Sequence, residues 1–577
     1  MRFRWEEALA RPLERRVLEE ATGLSELASA CLIERGLGDP DGARRFLDPR
    51  LKDLADPGRL PQMDRAVNRL FAALKSGERV VVFGDYDVDG VTSTALLTGF
   101  LGGLGWRMGQ YLPDRFSEGY GLTQAAVENC VAGQEVGLLL AVDCGSTARG
   151  PVAWLRSRGV DTIVLDHHQP GDEPAEPVAL VNPQLGTVDR ELCTVGLAFK
   201  LVHALVKEGR RRGDDRFVAT DVRPLLDLVA LGTIADLVPL TGENRILAKC
   251  GLERLARTDR PGLVALKEVA GIADTVRMEQ VGFQLGPRLN AAGRLDSARR
   301  ALDLLLATDM AGAGPLAEAL DSCNRERQAI ERKMSDDAIA MVRSRFRPQE
   351  DYVIVEANLQ WHIGVVGIVA SRVLREFHRP TLIIGGEGNE WRGSGRSIVG
   401  FDLAAALRGC DDLLVKHGGH AMAAGVTVAP DRVDALRERL NRIARGCLSP
   451  QMLVPSLRID ASASLDKLNE RVLGELERME PFGQGNPPVQ IRISSLRHAV
   501  PPQRLGRDQK HWRFQLTDGR SRVECVWWNA GNREVPIGDF DVVAIPEFNE
   551  YGGRRSIRLR FLDWRAAQGT SIQVEVS

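Results

Sequence analysis

Three aspartates alternate in the stretch VVFGDYDVDGVTS, at positions 85, 87 and 89. The apolar residues 80–83 before them predict a buried parallel strand, and residues 92–100 predict the helix that follows. Carboxylates crowded at a strand end repel one another: two of them about 5 Å apart would cost roughly 3 kcal/mol at an effective dielectric constant of about 20. A divalent cation would neutralise that repulsion and fix the geometry of the carboxylates. The stretch therefore points to metal-dependent chemistry.

More acidic and imidazole side chains follow other apolar runs. They are Asp143 in LLLAVDCG, Asp166, His167 and His168 after TIVL, and Asp236 in VALGTIADLVPL. Functional groups collect at the carboxyl ends of parallel strands, so we expect most of these in one crevice. Carboxylates and imidazoles without thiolates suit Mn²⁺ or Mg²⁺, and their number suits two ions about 3.5–4 Å apart, as in phosphoryl displacement. A single Asp after a strand is usually a turn or a helix cap, but four such positions together favour a metal centre.

The elements that must position these residues read as an α/β fold. Strand-like and helical stretches alternate from about 75 to 245, which is typical of a parallel sheet with helices on both faces. The strand-like stretches are 80–83, 109–113, 136–145, 161–168 and 177–183, and the helical ones are 122–132, 149–158 and 194–208.

The rest of the chain divides into further regions. Residues 315–346 form a charged amphipathic pattern that we interpret as a connecting helix, with a coiled-coil dimer as the alternative. Short strand patterns separated by turns from about 490 onward predict an all-β barrel. The predicted organisation is an N-terminal helical region (1–70), a parallel-sheet catalytic domain (71–310), a connecting helix (311–348), a second α/β domain (349–447) and the barrel domain (455–577).

Composition limits the class of protein. The chain has 577 residues, 44% hydrophobic and 27% charged, and a net charge of −2, which is typical of a globular protein with several domains. No two of its nine cysteines form a CxxC pair, which argues against disulfide frameworks and cysteine-rich zinc sites. The N-terminus lacks the apolar core of a signal peptide and no stretch approaches about 18 uninterrupted apolar residues, so we expect a cytoplasmic protein without membrane association.

The motifs resemble those of a known superfamily. GDYDVDG, the Asp in AVDCGS, LDHH and the Asp in GTIADLVPL are similar to the four ordered motifs of the DHH phosphoesterases. Further stretches resemble more specifically the RecJ family, bacterial single-strand-specific 5′→3′ exonucleases, in the expected order from about residue 70 to the C-terminus. They include LPDRFSEGYGL, ENRILAKCGLERL, GPRLNAAGRLDSA, WHIGVVGIVASR, GSGRS, GGHAMAAG and PFGQGNPP. The resemblance implies a DHH catalytic domain, a DHH-associated domain and an OB-like barrel.

The resemblance also implies roles for individual residues. Those matching metal ligands are Asp87, Asp89, Asp143, His167 and Asp236, with Asp85 either a direct ligand or an orienting carboxylate. Asp166 would fix the tautomer of His167, and His168 matches a residue that contacts the scissile phosphate.

DNA-binding residues are implied in the same way. Residues matching a pocket for the 5′-terminal phosphate are Arg115, Ser394, Arg396, Gly419 and His420, although GGHAMAAG could also serve tight packing alone. Arg288 and Arg294 would track the DNA near the junction of the two lobes. The barrel gathers Trp512, Trp527 and Trp528, which are candidates for base stacking, although one of the adjacent pair could belong to the core.

The function implied is metal-dependent degradation of single-stranded DNA from a free 5′ end to nucleoside 5′-monophosphates, in recombination and repair. Expected partners are single-strand binding protein and a helicase, and the expected state is a monomer. The alternatives are a DHH phosphodiesterase acting on cyclic dinucleotides or short oligoribonucleotides, and a non-catalytic replication scaffold of the same fold. The barrel argues against the first, and the complete set of acidic positions and histidines argues against the second.

Overall fold

A computed structural model describes residues 3–9, 11–115, 117–187, 190–386, 388, 390–531, 533–551 and 553–567, so residues 568–577 of the predicted barrel domain lie outside the described residues. The N-terminal region contains one strand and three helices: β1 (Arg4–Glu6), α1 (Pro12–Thr22), α2 (Glu26–Glu34) and α3 (Pro40–Leu47). The helices agree with the predicted helical character. β1 is a difference from the prediction, because it pairs in parallel with residues 456–458, which a local pattern does not reveal.

The first lobe contains the predicted parallel sheet. Its elements are α4 (Met63–Ser76), β2 (Arg79–Gly84), α5 (Val88–Gly103), β3 (Arg107–Tyr111), α6 (Gln124–Gly133), β4 (Leu138–Val142), α7 (Arg149–Ser157), β5 (Asp161–Leu165), β6 (Ala179–Val181), α8 (Thr194–Arg211), α9 (Asp215–Val218), α10 (Leu226–Ala235), α11 (Gly242–Ala256), α12 (Pro261–Ala270), α13 (Met278–Gln280), α14 (Gly286–Leu295) and α15 (Arg299–Leu306). The strand order is β3-β2-β4-β5-β6, and every pairing is parallel. Helices cover both faces, which explains why β4 is buried along its whole length.

One long helix, α16 (Met310–Arg345), leads to the second lobe. It packs against α12, α14 and α15 of the first lobe and α17 of the second, so its apolar positions are used within the chain. The second lobe consists of β7 (Ile354–Ala357), α17 (Val366–Phe377), β8 (Thr381–Gly385), β9 (Trp391–Arg396), α18 (Leu403–Arg408), β10 (Leu414–His420), β11 (Ala423–Val428) and α19 (Val433–Cys447). Its mixed sheet has the order β10-β11-β9-β8-β7.

The C-terminal region is a closed barrel. Its elements are β12 (Ser456–Arg458), β13 (Ala461–Ser462), α20 (Glu470–Glu477), β14 (Ile491–His498), β15 (Gln503–Leu505), β16 (His511–Thr517), β17 (Arg522–Trp527), β18 (Phe540–Tyr551) and β19 (Arg554–Ala566). β14 pairs with both β18 and β16, which joins the two sides of the sheet and closes it. The predicted α/β class with a C-terminal all-β barrel is confirmed. Within the described ranges, no helix combines the length and apolar character needed to cross a bilayer.

Candidate metal centre and anion pocket

The alternating aspartates lie in the turn between β2 and α5. Asp87 caps α5, accepting a hydrogen bond from the Gly90 amide at 3.1 Å, and Asp89 lies in the first turn of the helix. Gly90 packs directly on the backbone of Asp85, where a Cβ would lie 2.7 Å from the Asp85 nitrogen. Glycine at this position therefore lets the helix begin close enough to the strand to crowd the carboxylates.

The other expected ligands come from three further element ends. Asp143 follows β4 in a left-handed backbone conformation (φ 64°), and His167 follows β5. Asp236 ends α10, and Leu237 after it is also left-handed (φ 61°). Left-handed backbone in non-glycine residues costs of order 1–3 kcal/mol and clusters at functional sites. The left-handed backbone at Asp143 and directly after Asp236 is therefore consistent with a functional site, where the direction of each side chain matters.

These side chains converge into one cluster, as expected for groups at the carboxyl ends of parallel strands. Ligand atoms lie within 4.8 Å of one another in three overlapping groups, which are Asp85–Asp87–Asp143, Asp89–His167–Asp236 and Asp143–His167–His168. His167 Nε2 lies 3.5 Å from Asp143 Oδ1 and 3.6 Å from Asp236 Oδ2. Asp143 and His167 each belong to two of the three groups. Each therefore lies within reach of two neighbouring ion positions, as expected of a two-ion site.

The electrostatics of the cluster fit bound cations. Burial raises the pKa of Asp85, Asp143 and Asp236 well above the usual range, and the neighbouring carboxylates raise it further. Burial and the charge of Asp87 raise the pKa of Asp89 to about 7. Among the described residues, both oxygens of Asp85, Oδ2 of Asp236 and Nε2 of His167 are buried without a hydrogen-bond partner. Such groups are costly unless a ligand engages them, and hard oxygen donors with one imidazole suit Mn²⁺ or Mg²⁺.

Two residues that the sequence did not single out orient the cluster. The backbone amides of Thr194 and Val195, at the start of α8, donate to the two oxygens of Asp89 at 2.7 Å each. The Thr194 hydroxyl donates to Asp143 Oδ1 at 3.1 Å. A helix N-terminus stabilises a carboxylate through its free amides and its dipole. No sequence signal in CTVG marks this role, because it arises from the tertiary position of α8.

Asp166 orients His168, whereas the sequence assigned it to His167. Asp166 Oδ1 lies 2.7 Å from His168 Nδ1 and also accepts the His168 amide. Burial opposes a charged imidazole, but this hydrogen bond raises the pKa of His168 overall. His168 Nε2 lies 3.1 Å from the Tyr120 hydroxyl and so faces the open side of the cluster. Burial, aided by the charge of His168, lowers the pKa of His167 to about 4, which keeps His167 neutral as a metal ligand must be.

Polar side chains gather on the second lobe to form an anion pocket. Arg396 on β9 donates to the Ser394 hydroxyl at 2.9 Å, and both face Gly367 of α17, where a Cβ would lie about 3 Å from each of them. His420 lies at the end of β10 after Gly419, whose backbone is left-handed (φ 135°). Burial, then the charges of Arg396 and His168, lower the pKa of His420. Ser394, Arg396 and His420 thus come from two strands, β9 and β10, of one sheet.

Arginines from the first lobe complete this pocket. Burial, then the charges of Arg115, Arg327 and Arg396, lower the pKa of Arg294 to about 10. Arg294 stays cationic at neutral pH and donates to the Gly364 carbonyl at 3.3 Å. Arg327 on α16 also lies near Arg294, but it is ion-paired with Glu331 at 2.6 Å and donates to Asn324, so its charge is engaged within the protein. The concentration of positive charge in the pocket matches a phosphate group.

Arg288 pairs within the protein, and its expected contact with DNA stays a prediction. Its guanidinium forms an ion pair with Asp321 of α16 at 2.9 Å and donates to the Gln284 carbonyl. The side chain is half-buried between α14 and α16, and these contacts hold the two helices together.

Comparisons with known proteins give the chain its family. Family models match residues 79–233 (DHH family, N-terminal domain), 350–446 (DHHA1 domain) and 459–563 (RecJ OB domain). The single-stranded-DNA-specific exonuclease RecJ of Bacillus subtilis (strain 168) is 37% identical over 575 residues, covering 97% of this chain and 71% of the relative. The RecJ of Salmonella typhimurium is 35% identical and covers 95% of this chain and 98% of the relative. The chain belongs to the RecJ family.

A solved structure supports this assignment. The crystal structure of RecJ in complex with Mn²⁺ from Thermus thermophilus matches with a TM-score of 0.84 and 31% sequence identity. The match covers 98% of this chain and 80% of the Thermus chain. The RecJ architecture therefore extends over nearly the whole of this sequence, including the N-terminal region.

Within the RecJ OB domain the three candidate tryptophans differ in exposure. Trp527 is 6% exposed and packs against Phe561 with ring centroids 4.6 Å apart, so it is a core residue and not a base-stacking surface. Trp512 is half-buried, with the Arg504 guanidinium over its ring at 3.9 Å. Trp528 is 43% exposed and meets His511 edge-on. Trp528 is therefore the residue of the three that offers a ring to a base.

Proposed function

We propose that this chain is a metal-dependent exonuclease that degrades single-stranded DNA 5′→3′, releasing nucleoside 5′-monophosphates. The observation that carries the proposal is a cluster of buried, mutually repelling carboxylates beside a pocket of concentrated positive charge. The two are joined by α14, in which Gly293 packs on Tyr86 of the metal loop and Arg294 reaches the second lobe at Gly364. RecJ relatives are named single-stranded-DNA-specific exonucleases, which supports the substrate.

The metal cluster supplies the reaction centre. Mn²⁺ or Mg²⁺ would be held by Asp85, Asp87, Asp89, Asp143, His167 and Asp236, and the Thermus RecJ is solved with each of these ions. When bound, two such ions supply charge neutralisation and Lewis acidity at the phosphodiester. Thr194 and the start of α8 keep Asp89 and Asp143 in place. His168, held by Asp166, would donate a hydrogen bond to the scissile phosphate.

The anion pocket sets the polarity. A 5′-terminal phosphate bound by Arg115, Arg294, Ser394, Arg396 and His420 places the first linkage of the strand at the metal cluster. Gly419 allows the close backbone approach at His420, because a side chain there would meet Ala424. A strand without a free 5′ end would lack this anchor, so digestion proceeds from the 5′ end.

The barrel holds the strand that extends beyond the cluster. Trp528 stacks on a base, and the arginines of β19 attract the phosphate backbone, which gives binding without sequence preference. Acting in recombination and repair, the enzyme receives its strand from a helicase and works together with single-strand binding protein. We further propose that it is a cytoplasmic monomer, to be tested by fractionation and by light scattering.

A labelled oligonucleotide tests the proposal. A single-stranded DNA carrying a label at either its 5′ or its 3′ end is incubated with Mn²⁺ or EDTA, with a duplex control, and the wild type is compared with Asp143→Ala. We expect metal-dependent release of the 5′-terminal mononucleotide, absent in the variant and on duplex. Cleavage of cyclic dinucleotides with intact DNA would establish the small-substrate alternative instead. Metal and DNA binding without any cleavage would favour the scaffold.

A further inference from the structure

Two motifs of the sequence take no part in the proposed reaction, yet they meet in the structure. One is the turn at residues 481–486 (PFGQGN) that follows α20, called here the barrel turn. Gly483 and Asn486 close it with two backbone hydrogen bonds, of 2.8 and 3.2 Å. The other is the start of α11, which carries Arg245 in the stretch ENRILAK. The contact between them joins the barrel to the first lobe.

Arg245 holds the barrel turn in place through hydrogen bonds to backbone carbonyls. It is 2% exposed, and its hydrogen bonds go to backbone carbonyls, those of Phe46, Arg478, Glu480 and Pro481, at 2.8, 3.1, 2.9 and 3.4 Å. The Asn486 amide bonds the Met479 and Pro481 carbonyls at 2.9 Å each. A buried cation that saturates carbonyls of two other segments holds them rigidly, since each lost bond would leave a buried polar group unpaired.

The barrel turn rests on the segment that leaves the metal ligand Asp236. The Leu240 amide donates to the Gln484 carbonyl at 2.7 Å. Gly485 approaches Pro239 so closely that a Cβ at position 485 would lie 3.0 Å from the Pro239 Cβ. A Cβ at Gly483 would lie 2.8 Å from Leu240 Cδ1. The barrel turn therefore holds the chain at Pro239 and Leu240, a few residues after the metal ligand Asp236.

We infer that the barrel turn is a positioning element for the metal centre: by holding Pro239 and Leu240, it fixes the direction in which Asp236 leaves α10. This inference rests on the proposed function only in treating Asp236 as a metal ligand. The left-handed Leu237 supports it, because that backbone conformation persists only where the surrounding structure imposes it. Groups that orient ligands change metal affinity by about 10–100-fold when they are disturbed. A turn that only joined two domains would change stability alone.

A matched pair of glycine substitutions in the full-length protein separates these roles. Gly485 and Gly538 both lie in the C-terminal region and both have φ of 72°, so alanine strains the backbone equally at either position. At Gly538 a Cβ meets nothing within 4 Å, whereas at Gly485 it meets Pro239. Mn²⁺ affinity is measured without DNA by electron paramagnetic resonance, with Asp236→Ala as the reference for a lost ligand, and melting temperatures are measured alongside.

We expect Gly485→Ala to bind Mn²⁺ about tenfold more weakly and Gly538→Ala to bind it like the wild type, while both lower the melting temperature. Gly483→Ala strains no left-handed backbone, and its Cβ would lie 2.8 Å from Leu240 Cδ1, so it should weaken binding in the same direction but less than Gly485→Ala. Unchanged Mn²⁺ affinity in the folded Gly483→Ala and Gly485→Ala proteins would overturn the inference. Because no DNA is present, loss of nuclease activity in the wild type would count against the proposed function and not against this result.

Discussion

The metal cluster is a concentration of negative charge and the anion pocket is a concentration of positive charge. The two face each other across the lobes. In the first, burial and mutual repulsion raise the pKa of Asp89 to about 7 and push Asp85, Asp143 and Asp236 in the same direction. In the second, burial and neighbouring guanidinium groups lower the pKa of Arg294 to about 10. The cluster thus favours protonation of its carboxylates over its charged form, whereas Arg294 keeps its charge at neutral pH.

The difference shows what each region requires from its ligand. Elsewhere the fold pairs its buried charges internally: Lys200 is fully buried, and its ammonium lies 2.8 Å from Glu243. Among the described residues, no lysine or arginine forms such an ion pair with Asp85, Asp89 or Asp143, so the metal cluster needs resident ions before it can act. The arginines of the anion pocket stay charged without a bound ligand. The pocket can therefore bind the phosphate of each new substrate and release it after the reaction. One region is built for a permanent ligand and the other for a passing one.

Removing one carboxylate should have the largest effect and opposite consequences for activity and stability. Asp143→Asn should lower the rate of single-stranded DNA digestion by about a thousandfold or more, because several kcal/mol of transition-state stabilisation are lost with the ions. In EDTA the same variant should unfold at a higher temperature than the wild type, because it removes a repelled charge while keeping the side-chain shape. Nuclease assays and calorimetry measure the two effects.

The paired charge provides the control for that variant. Glu243→Gln removes a carboxylate that has an internal partner and leaves Lys200 buried without it, so it should destabilise the protein by about 3 kcal/mol. A stabilised Glu243→Gln protein, or a destabilised Asp143→Asn protein in EDTA, would contradict the distinction between paired and unpaired buried charge.

The contribution of the metal cluster to the stability of the metal-free protein should fall as pH rises from about 4 to about 7. The cluster carboxyls have folded pKa values above their ordinary value of 3.8, about 7 for Asp89, so the folded state binds more protons than the unfolded state in this window. Their stabilising contribution is complete below the unfolded pKa and is lost as pH passes the folded pKa. Histidines act in the opposite sense, because burial lowers the pKa of His167 to about 4 and also lowers those of His203, His378, His420 and His498. The contribution of the carboxyls is therefore measured as the difference in pH dependence between the wild type and Asp143→Asn.

Urea denaturation at several pH values between the two limits, in EDTA, measures this dependence. Saturating Mn²⁺ should abolish the decline, and Asp143→Asn should flatten it. If the wild type and Asp143→Asn showed the same pH dependence in EDTA, the carboxylates would not be repelled in the folded state.

The sequence predicted those parts of the site that local patterns encode. Each carboxylate follows an apolar run that becomes a strand or helix, and parallel-sheet geometry alone brings the ends together, so the metal cluster could be predicted before its structure. The partner of Asp166 could not, because two adjacent histidines are equivalent in sequence and only the path of the chain after β5 turns His168 back onto it.

Features that depend on distant pairing were also beyond the sequence. β1 is three residues long and pairs with residues 456–458, so it has no alternation to detect. Arg288 and Arg294 lie in one motif, but Asp321 on α16 engages the first while the second stays in the pocket. Arg327 lies near Arg294 because α16 packs against both lobes, but Glu331 on the same helix engages its charge. The fold class and most element positions were thus predictable, whereas the partners of the charged residues were not.

A substitution in the anion pocket should change the preference between 5′-phosphorylated and 5′-hydroxyl substrates and leave the metal centre intact. Arg396→Gln should reduce the preference for 5′-phosphorylated over 5′-hydroxyl oligonucleotides by about 10–100-fold, the value of a charge-assisted hydrogen bond of roughly 1.5–3 kcal/mol. The ratio of kcat/KM for the two substrates measures the preference, and Mn²⁺ affinity should not change. Arg408→Gln, at an exposed position in the same lobe, is the control. If both variants kept the wild-type preference, the phosphate would have to bind elsewhere.

The smallest expected effect separates the two adjacent tryptophans of the barrel, which lies outside both charged regions. Trp528→Ala should weaken binding of a long single-stranded oligonucleotide about tenfold, since one base–aromatic stack is worth roughly 1–3 kcal/mol, with little change in melting temperature. Trp527→Ala should instead destabilise the protein by about 3–5 kcal/mol, because it leaves a cavity against Phe561. Fluorescence anisotropy and thermal unfolding distinguish the two. If Trp528→Ala bound DNA normally, strand retention would rest on phosphate contacts alone, and raising the salt concentration would then weaken the wild type and the variant equally.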